Sequence, residues 1–275
     1  MKYTFSFLKK APVSQPVNIH DEKTTDYADL LLCTALDIGE NMLKSGGEIH
    51  RVEDTIERIC RAYGARHVEV FTITSLIVAA VRMPDGTYSS QIRRVYHSSN
   101  NLCRLEKLNQ ISRVICMNQI PLKEVQAQIA ATKNIQPYPV WIRPIGPAFA
   151  AGGFAMFFGG NIRDGLVAAI IGMALMFIDY IKPTYFNVMS HVLIKSLIAG
   201  MLAIVFTKIG FGVNTDKIMI GTIMLLIPGL AVGNALRDLL CGDIIAGMLQ
   251  LVQALLLAVM IAFGFGISGL ILGGI

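Results

Sequence analysis

The stretch from Ile244 to Phe265 has the sequence IIAGMLQLVQALLLAVMIAFGF and contains no charged residue. A helix of this composition is apolar on every side, so it has no face to offer to water. Its length matches the roughly 20 residues that cross the hydrocarbon core of a bilayer. The stretch therefore predicts a transmembrane helix.

Four similar stretches precede it in the sequence and are separated by short polar segments. Together they predict an all-α, polytopic membrane domain of about five transmembrane helices. Hydropathy does not decide whether residues 267–275 extend the last helix or lie in the interface. The five predicted spans are 141–160, 165–181, 188–206, 218–236 and 244–265.

The composition of the whole chain agrees with a membrane protein. Of 275 residues, 53% are hydrophobic and 16% charged, where soluble domains average about 25% charged. Most charges come early, since 18 of the 24 Lys and Arg and 14 of the 19 Asp and Glu lie at or before Arg143. The net charge of +5 is too small and too mixed in sign for a nucleic-acid partner. These numbers exclude an ordinary soluble enzyme.

The first half of the chain predicts an α+β domain over residues 24–136, after a polar, flexible tail at 1–23 and before the membrane domain at 137–275. Prolines between 137 and 147 break regular structure at the second boundary. Apolar residues at helical spacing and runs of β-branched residues define the elements. The predicted helices are 27–44, 48–64, 100–115 and 121–134, and the predicted strands are 67–74, 76–83 and 87–95.

Standard catalytic, nucleotide-binding and metal-binding motifs are missing from the sequence. The five cysteines are odd in number and share no C-x-x-C spacing, so neither a disulfide framework nor a zinc site is predicted. His50 lies near Glu53 and Asp54, which permits a metal or acid–base role. An apolar stripe and i,i+4 ion pairs already explain this helix and favour a solvated face. No catalytic residue, cofactor or metal is expected.

The fourth span is interrupted by Pro228 and Gly229. Proline has no N–H, so the carbonyl of Met224 loses its helical donor inside the predicted membrane segment. Transporters place substrate sites at such broken helices, although a purely structural kink is also common. Both interpretations remain open from the sequence.

Polar residues follow this break and form the rest of the candidate substrate path. Asn234, Arg237 and Asp238 come within about two turns, and Asp243 follows after the helix. Arg237 and Asp238 either take part in transport or anchor the helix at the membrane interface.

Other polar residues lie inside the remaining spans. Lys195 shares a helical face with His191 in the third span, and it either has a functional role or extends its amine to the interface. Asp179, near the end of the second span, is open to the same two interpretations. Gln250 joins the candidate path from the fifth span, where interhelical hydrogen bonding is the alternative role for it and for Gln253.

Four segments together resemble the threonine/serine exporter family. They are Ser45–Glu53, the strand-rich stretch 68–95, the helix at 101–113, and Ile227–Asp243 with its Pro-Gly and Arg-Asp pairs. The resemblance covers about residues 31–266. It implies a cytoplasmic N-terminal domain and a multi-pass domain in the cell membrane that exports small hydrophilic metabolites, with the proton gradient as the driving force.

Full-length members of that family carry a second multi-span module, so the chain resembles the large subunit of the split type. This implies a small polytopic partner subunit and leaves threonine, serine and a dicarboxylate such as succinate as candidate substrates. The sequence thus predicts one subunit of a secondary exporter. The alternatives are a membrane-anchored enzyme or sensor whose soluble domain carries the activity, and a passive channel.

Overall fold

A computed structural model describes residues 22–96, 99–133, 135, 138–139, 141–180 and 187–272 of the chain. Most of the predicted tail, the predicted boundary at 136–137, the joint at 181–186 and the last three residues lie outside these ranges. Within them the chain is mostly helical, with one small sheet near the N-terminus.

The N-terminal part contains all the strands of the described chain and four helices. The predicted α+β elements are present, although α1 begins at Glu22, so Thr24 to Asp26 lie inside this helix and not ahead of it. The elements are α1 (Glu22–Lys44), α2 (Ile49–Ala62), β1 (His67–Ile73), β2 (Leu76–Arg82), β3 (Tyr88–Arg94), α3 (Leu102–Asn118) and α4 (Leu122–Thr132).

The three strands form an antiparallel sheet in the order β1-β2-β3. The turn between β2 and β3 contains Gly86 at φ +92°, a left-handed conformation that glycine adopts without steric cost. One face of the sheet, with Ile77 and Ala79, packs against the α-helices. Large aliphatic side chains of α1 and α2 fill the core between these layers, among them Leu31, Leu36 and Ile56.

The described residues of the C-terminal part form six helices in five segments. The helices are α5 (Ile145–Phe157), α6 (Ile162–Tyr180), α7 (Val188–Lys208), α8 (Thr215–Leu226), α9 (Gly229–Cys241) and α10 (Ile244–Leu272). In the described chain, α7 and α10 are long and apolar enough to cross a membrane, and the bent pair α8–α9 makes a third if it counts as one span.

The membrane-capable helices number two or three in the described chain, so the prediction of five spans is not confirmed. The apolar stretch at 141–160 contains the 13-residue α5, because a turn occupies residues 141–144 and a left-handed Gly159 ends the segment. α6 is 19 residues long but starts before the predicted span and includes Arg163, Asp164 and Asp179.

α7 and α10 pack side by side in the same direction. Ser196 Oγ lies 3.5 Å from the carbonyl oxygen of Met260, and Lys208 Nζ donates to the carbonyl of Leu272 at the far ends. Met260 lies 16 residues into α10, whereas Ser196 lies only 8 residues into α7. At 1.5 Å per residue, α10 therefore extends about 12 Å beyond the start of α7, toward the N-terminal part.

Candidate functional site

The break in the fourth apolar stretch is a real interruption of the helix. α8 ends at Leu226, α9 begins at Gly229, and the two are bent by 51°. Ile227 is extended, with ψ of 128°, and the N–H of Gly229 donates to the carbonyl of Ile227 at 2.8 Å. Pro228 has no N–H to continue the helical ladder, so the bend falls at the predicted position.

α9 has two different faces. Leu236 and Leu240 are exposed on one side of this helix. The polar side chains of Asn234, Arg237 and Asp238 contact the N-terminal part of the chain. Gly242 has a left-handed backbone conformation and ends α9, and the chain then continues as α10.

The loop between α1 and α2 receives two of these side chains. Asn234 Nδ2 donates to the carbonyl oxygen of Gly46 at 3.2 Å. Arg237 pairs with Glu48, whose side chain is 19% exposed. The sequence left Arg237 as either a transport residue or an interface anchor, and the structure places a carboxylate of the protein itself beside it.

Asp238 lies at the beginning of α2 and is fully buried. Its two carboxylate oxygens face the backbone N–H groups of Ile49 and His50 at 3.5 and 3.4 Å. Gln250 Nε2 donates to Asp238 Oδ2 at 2.9 Å. The side chain of Glu48 does not cap α2, so the carboxylate of Asp238 supplies the negative charge that a helix N-terminus favours.

Asp243 adds a further acid–base pair at this junction. Its Oδ2 lies 3.5 Å from His50 Nδ1. Glu53, one turn along α2, accepts the N–H of Thr72 at 2.5 Å. Partial burial raises the pKa of the Glu53 carboxyl, and the nearby charge of Asp243 adds to this effect. His50 therefore faces an acidic neighbour from the C-terminal part, which the sequence pattern of α2 alone did not indicate.

A cavity of about 280 Å³ lies beside these contacts, between the two parts of the chain. Ala231 and Leu257 place it next to the break at Pro228. Its described lining contains no charged side chain. The polar groups of the lining are neutral amides and hydroxyls, contributed by Thr74, Ser75, Tyr96, Asn100, Asn234, Gln250 and Gln253.

Lys195 belongs to a different place in the structure. It pairs with Asp179 at the end of α6, and its side chain is 13% exposed. His191 Nε2 lies 3.9 Å from the same carboxylate oxygen. The structure thus joins Asp179 to the helical face that the sequence gave to Lys195 and His191, and this charged triad is distinct from the α9 contacts.

The candidate path residues therefore separate into two groups. The first group begins with Pro228 and Gly229, which form the break before α9. Its other members make the contacts at the junction of the two parts and are Asn234, Arg237, Asp238, Asp243 and Gln250. The second group is Lys195 with Asp179 and His191. Among the described residues, no group of three or more His, Cys, Asp and Glu side chains is placed to hold a metal ion.

Comparisons with known proteins identify a family that matches most of the chain. A family described as "Putative threonine/serine exporter" matches residues 34–271. A "Probable threonine/serine exporter" of Mycobacterium tuberculosis is 26% identical over 91% of this chain. An uncharacterized protein of Schizosaccharomyces pombe is 22% identical over 86% of it.

The match covers 47% of the mycobacterial protein and 30% of the yeast protein, so the chain spans half or less of the length of these relatives. No solved structure matches the chain.

Proposed function

The chain belongs to the threonine/serine exporter family, and from this membership we propose that it is a subunit of a secondary exporter for small hydrophilic metabolites. Its family consists of transporters and not enzymes, and its long apolar helices agree with a membrane protein. The observation that carries the proposal is the polar cavity beside the broken helix. We name this cavity the vestibule.

The vestibule has the features of an entry site for substrate. It lies where the N-terminal domain meets α9 and α10, next to the only bent helix pair found in the described chain. Non-helical backbone inside a membrane protein is tolerated where it is buried in protein or lines a wet cavity. Ala231, which lines the vestibule, follows Pro228 by three residues, so we infer that the break directs α9 along this cavity.

The lining favours an amino acid over a dicarboxylate. A zwitterion such as threonine or serine carries no net charge and offers both donors and acceptors to the amides of Asn234, Gln250 and Gln253. A dianion would enter a site whose described lining has no cationic side chain, because Arg237 pairs with Glu48. Burying an uncompensated charge is costly. Threonine or serine is therefore the proposed substrate.

The charged triad supports coupling to protons. Ionisable groups within membrane segments are costly and often serve as proton relays. Asp179 contacts both Lys195 and His191, so removing its charge would alter both contacts at once. We propose Asp179 as the residue through which export depends on the proton gradient. Asp179→Asn should abolish the dependence of export on the proton gradient, whereas exposed Asp216→Asn on α8 should leave it unchanged.

The proposed orientation puts the N-terminal domain in the cytoplasm and the C-terminus outside. An odd number of crossings places the two ends on opposite sides, and the basic Lys133 and Arg143 flank the first apolar segment on the N-terminal side. A reporter fused after Ile275 should then be active only in its periplasmic or extracellular form. Cytoplasmic activity of that reporter would contradict this topology.

We also propose a small polytopic membrane subunit of the same family as a partner. The support is that the match covers 47% of the mycobacterial exporter, so that protein contains further sequence. A groove between α5 and α6 is lined almost wholly by apolar atoms, including Gly152 and Gly153, and permits close helix approach. A second membrane chain should co-purify, and full export by this chain alone in liposomes would contradict the proposal.

The vestibule is tested by measuring export of labelled threonine, serine and succinate from cells at matched membrane abundance. Asn234→Ala and Gln253→Ala should each raise KM for the exported amino acid, because each removes a hydrogen-bonding group from the lining. Asn118→Ala, on the exposed end of α3, is the matched control. Unchanged KM in both lining variants would remove the vestibule from the path.

A further inference from the structure

The contacts between the N-terminal domain and α9 join two short segments of the chain. Residues 46–50 provide Gly46, Glu48 and the first N–H groups of α2, and residues 234–243 provide the complementary side chains. The partners in the hydrogen bonds to α9 lie 188 or 189 positions apart in sequence. We name these contacts the clamp.

We propose that the clamp positions α9 for transport, and that substrate opens the clamp by taking the amide of Asn234 away from Gly46. The inference rests on the proposed role of the vestibule and names how that site is regulated. It assigns to Glu48, Arg237 and Asp238 the function of positioning residues, which act on substrate through the orientation of α9.

The first support is that the clamp holds α9 and not α8. The two helices are separated by a break of two residues, and the space around Gly229 and Gly233 is open, since a Cβ added at either residue would meet no atom within 4 Å. α9 lies directly against α10, where the backbone of Ala235 and Leu239 meets Gly247, so a movement at this break carries α9 and α10 together and leaves the packing of α8 against α5 in place. Gly221 of α8 instead lies directly against the backbone of Ala151 and Ala155, so α8 is held tightly in place.

The second support is that one clamp contact lies inside the vestibule. Gly46 and Asn234 both line the cavity, and the bond between them has a donor–acceptor distance of 3.2 Å. A substrate carboxylate is a stronger acceptor for the Asn234 amide than the neutral carbonyl of Gly46, because bonds to ionised acceptors are roughly twice as strong. Substrate entry therefore competes directly with this contact.

The third support is that the remaining contacts are of a kind that a small molecule can release. The side chain of Arg237 is 62% exposed in its pair with Glu48, and exposed ion pairs contribute little to stability. The bonds from Ile49 and His50 to Asp238 are long, at 3.5 and 3.4 Å. The buried bond from Gln250 to Asp238 lies on the C-terminal side of the clamp, so it is retained when the clamp opens.

The decisive experiment exchanges the charges of one clamp pair. Glu48→Arg and Arg237→Glu should each lower the maximal export rate about tenfold, with KM for the substrate changed less than about twofold. The double variant Glu48→Arg with Arg237→Glu restores the pair and should recover the rate to within about twofold of wild type. Exposed Glu57 and Arg61 form an ion pair on α2 away from the clamp, and the same exchange there is the matched control.

A second measurement detects opening of the clamp without transport. In the full chain with its native cysteines replaced, cysteines introduced at Glu48 and Arg237 should be joined by a short bismaleimide. Threonine or serine should slow this cross-linking at least twofold, because substrate separates the two segments. Cross-linking that is indifferent to substrate would overturn the proposal.

The outcomes separate the clamp from the proposed function. In one outcome the wild-type protein exports substrate, but the double variant does not recover the export rate lost in the single variants. The clamp proposal is then wrong, and Arg237 acts on substrate directly. If both single variants export at the wild-type rate, the clamp has no part in transport. If wild-type protein exports none of the tested metabolites, the proposed function itself is wrong, and so is the clamp proposal that rests on it.

Discussion

The N-terminal and C-terminal parts of this chain bury opposite kinds of side chain. The core of the N-terminal domain is made of large aliphatic residues, including Leu31, Leu36, Ile56 and Ile115, all fully buried. The C-terminal helices bury mainly small residues, such as Ala151, Ala155, Ala168, Ala199 and Ala203, and expose large ones.

The difference follows from the solvent around each part. In water, burying large apolar side chains is the main driving force for folding. In a bilayer the lipid tails are as apolar as leucine, so helices associate through close packing of small residues and interhelical hydrogen bonds. Buried Ser196 and Ser268 at the α7–α10 contact match this second pattern. The C-terminal part is therefore built for a membrane.

The largest effect is expected where helices α7 and α10 approach most closely. A Cβ at Gly264 would overlap Ser196 Oγ and lie 2.8 Å from the backbone oxygen of Leu193 and the nitrogen of Leu197. Backbone atoms cannot move aside without separating the helices. We expect Gly264→Val to prevent accumulation of folded protein, measured by size-exclusion profile in detergent.

Gly266 is the matched control, because it lies in the same helix and a Cβ there meets nothing within 4 Å. Gly266→Ala should leave the profile unchanged or increase the yield slightly, since alanine favours helix over glycine by about 1 kcal/mol. A normal profile for Gly264→Val would show that small residues do not determine this packing.

The sequence predicted the order of elements and the apolar stretches well, because both depend on local composition. The break at Pro228 was predicted from a single residue whose conformational restriction is strong. The length of α5 was not, since hydropathy extends across the turn at 141–144 and cannot mark where a helix ends.

The partners of the candidate residues also could not be predicted. Asp238 looked like a helix anchor or a path residue, and the structure places it against the N-terminus of α2. Such a pairing depends on how two folded parts dock, which periodicity does not encode. The only available signal was that Ser45–Glu53 and Ile227–Asp243 both carried the family resemblance, and it gave no reason to place them in contact.

A smaller but still large effect is expected in the N-terminal core. Leu36 is fully buried in α1, so Leu36→Ala should lower the free energy of unfolding by about 2–5 kcal/mol through the lost transfer energy and the cavity left behind. Leu240 on α9 is 89% exposed, and Leu240→Ala should cost less than about 0.5 kcal/mol. Denaturant unfolding of the two variants in detergent measures the difference, and equal costs would contradict the comparison of the two parts.

Pro228→Ala tests whether the break serves transport or stability. Alanine supplies an N–H that can bond the carbonyl of Met224, while it loses the rigidity of the proline ring, which is worth about 0.4–1 kcal/mol. We expect stability to stay the same or rise slightly and export to fall, measured at matched membrane abundance. Normal export together with reduced stability would identify the bend as a structural kink.

The smallest effect is a pH dependence inside the N-terminal domain. Partial burial raises the pKa of Glu53, so this carboxyl stabilises the fold below its unfolded pKa and loses that contribution as pH rises through its folded pKa. Glu53→Gln keeps an oxygen that can accept the N–H of Thr72 but removes the charge. The melting temperature of the variant relative to wild type should therefore rise by about 1–3 °C between pH 4 and pH 7.

Asp85 is the control, because its pKa is shifted in the opposite direction. The N–H of Thr87 donates to the Asp85 carboxylate at 2.9 Å and lowers the pKa of this carboxyl. Asp85→Asn should lose stability relative to wild type as pH rises toward the unfolded Asp pKa of 3.8, below the interval in which Glu53 acts. Parallel curves for the two variants across both intervals would show that burial of Glu53 has no electrostatic cost.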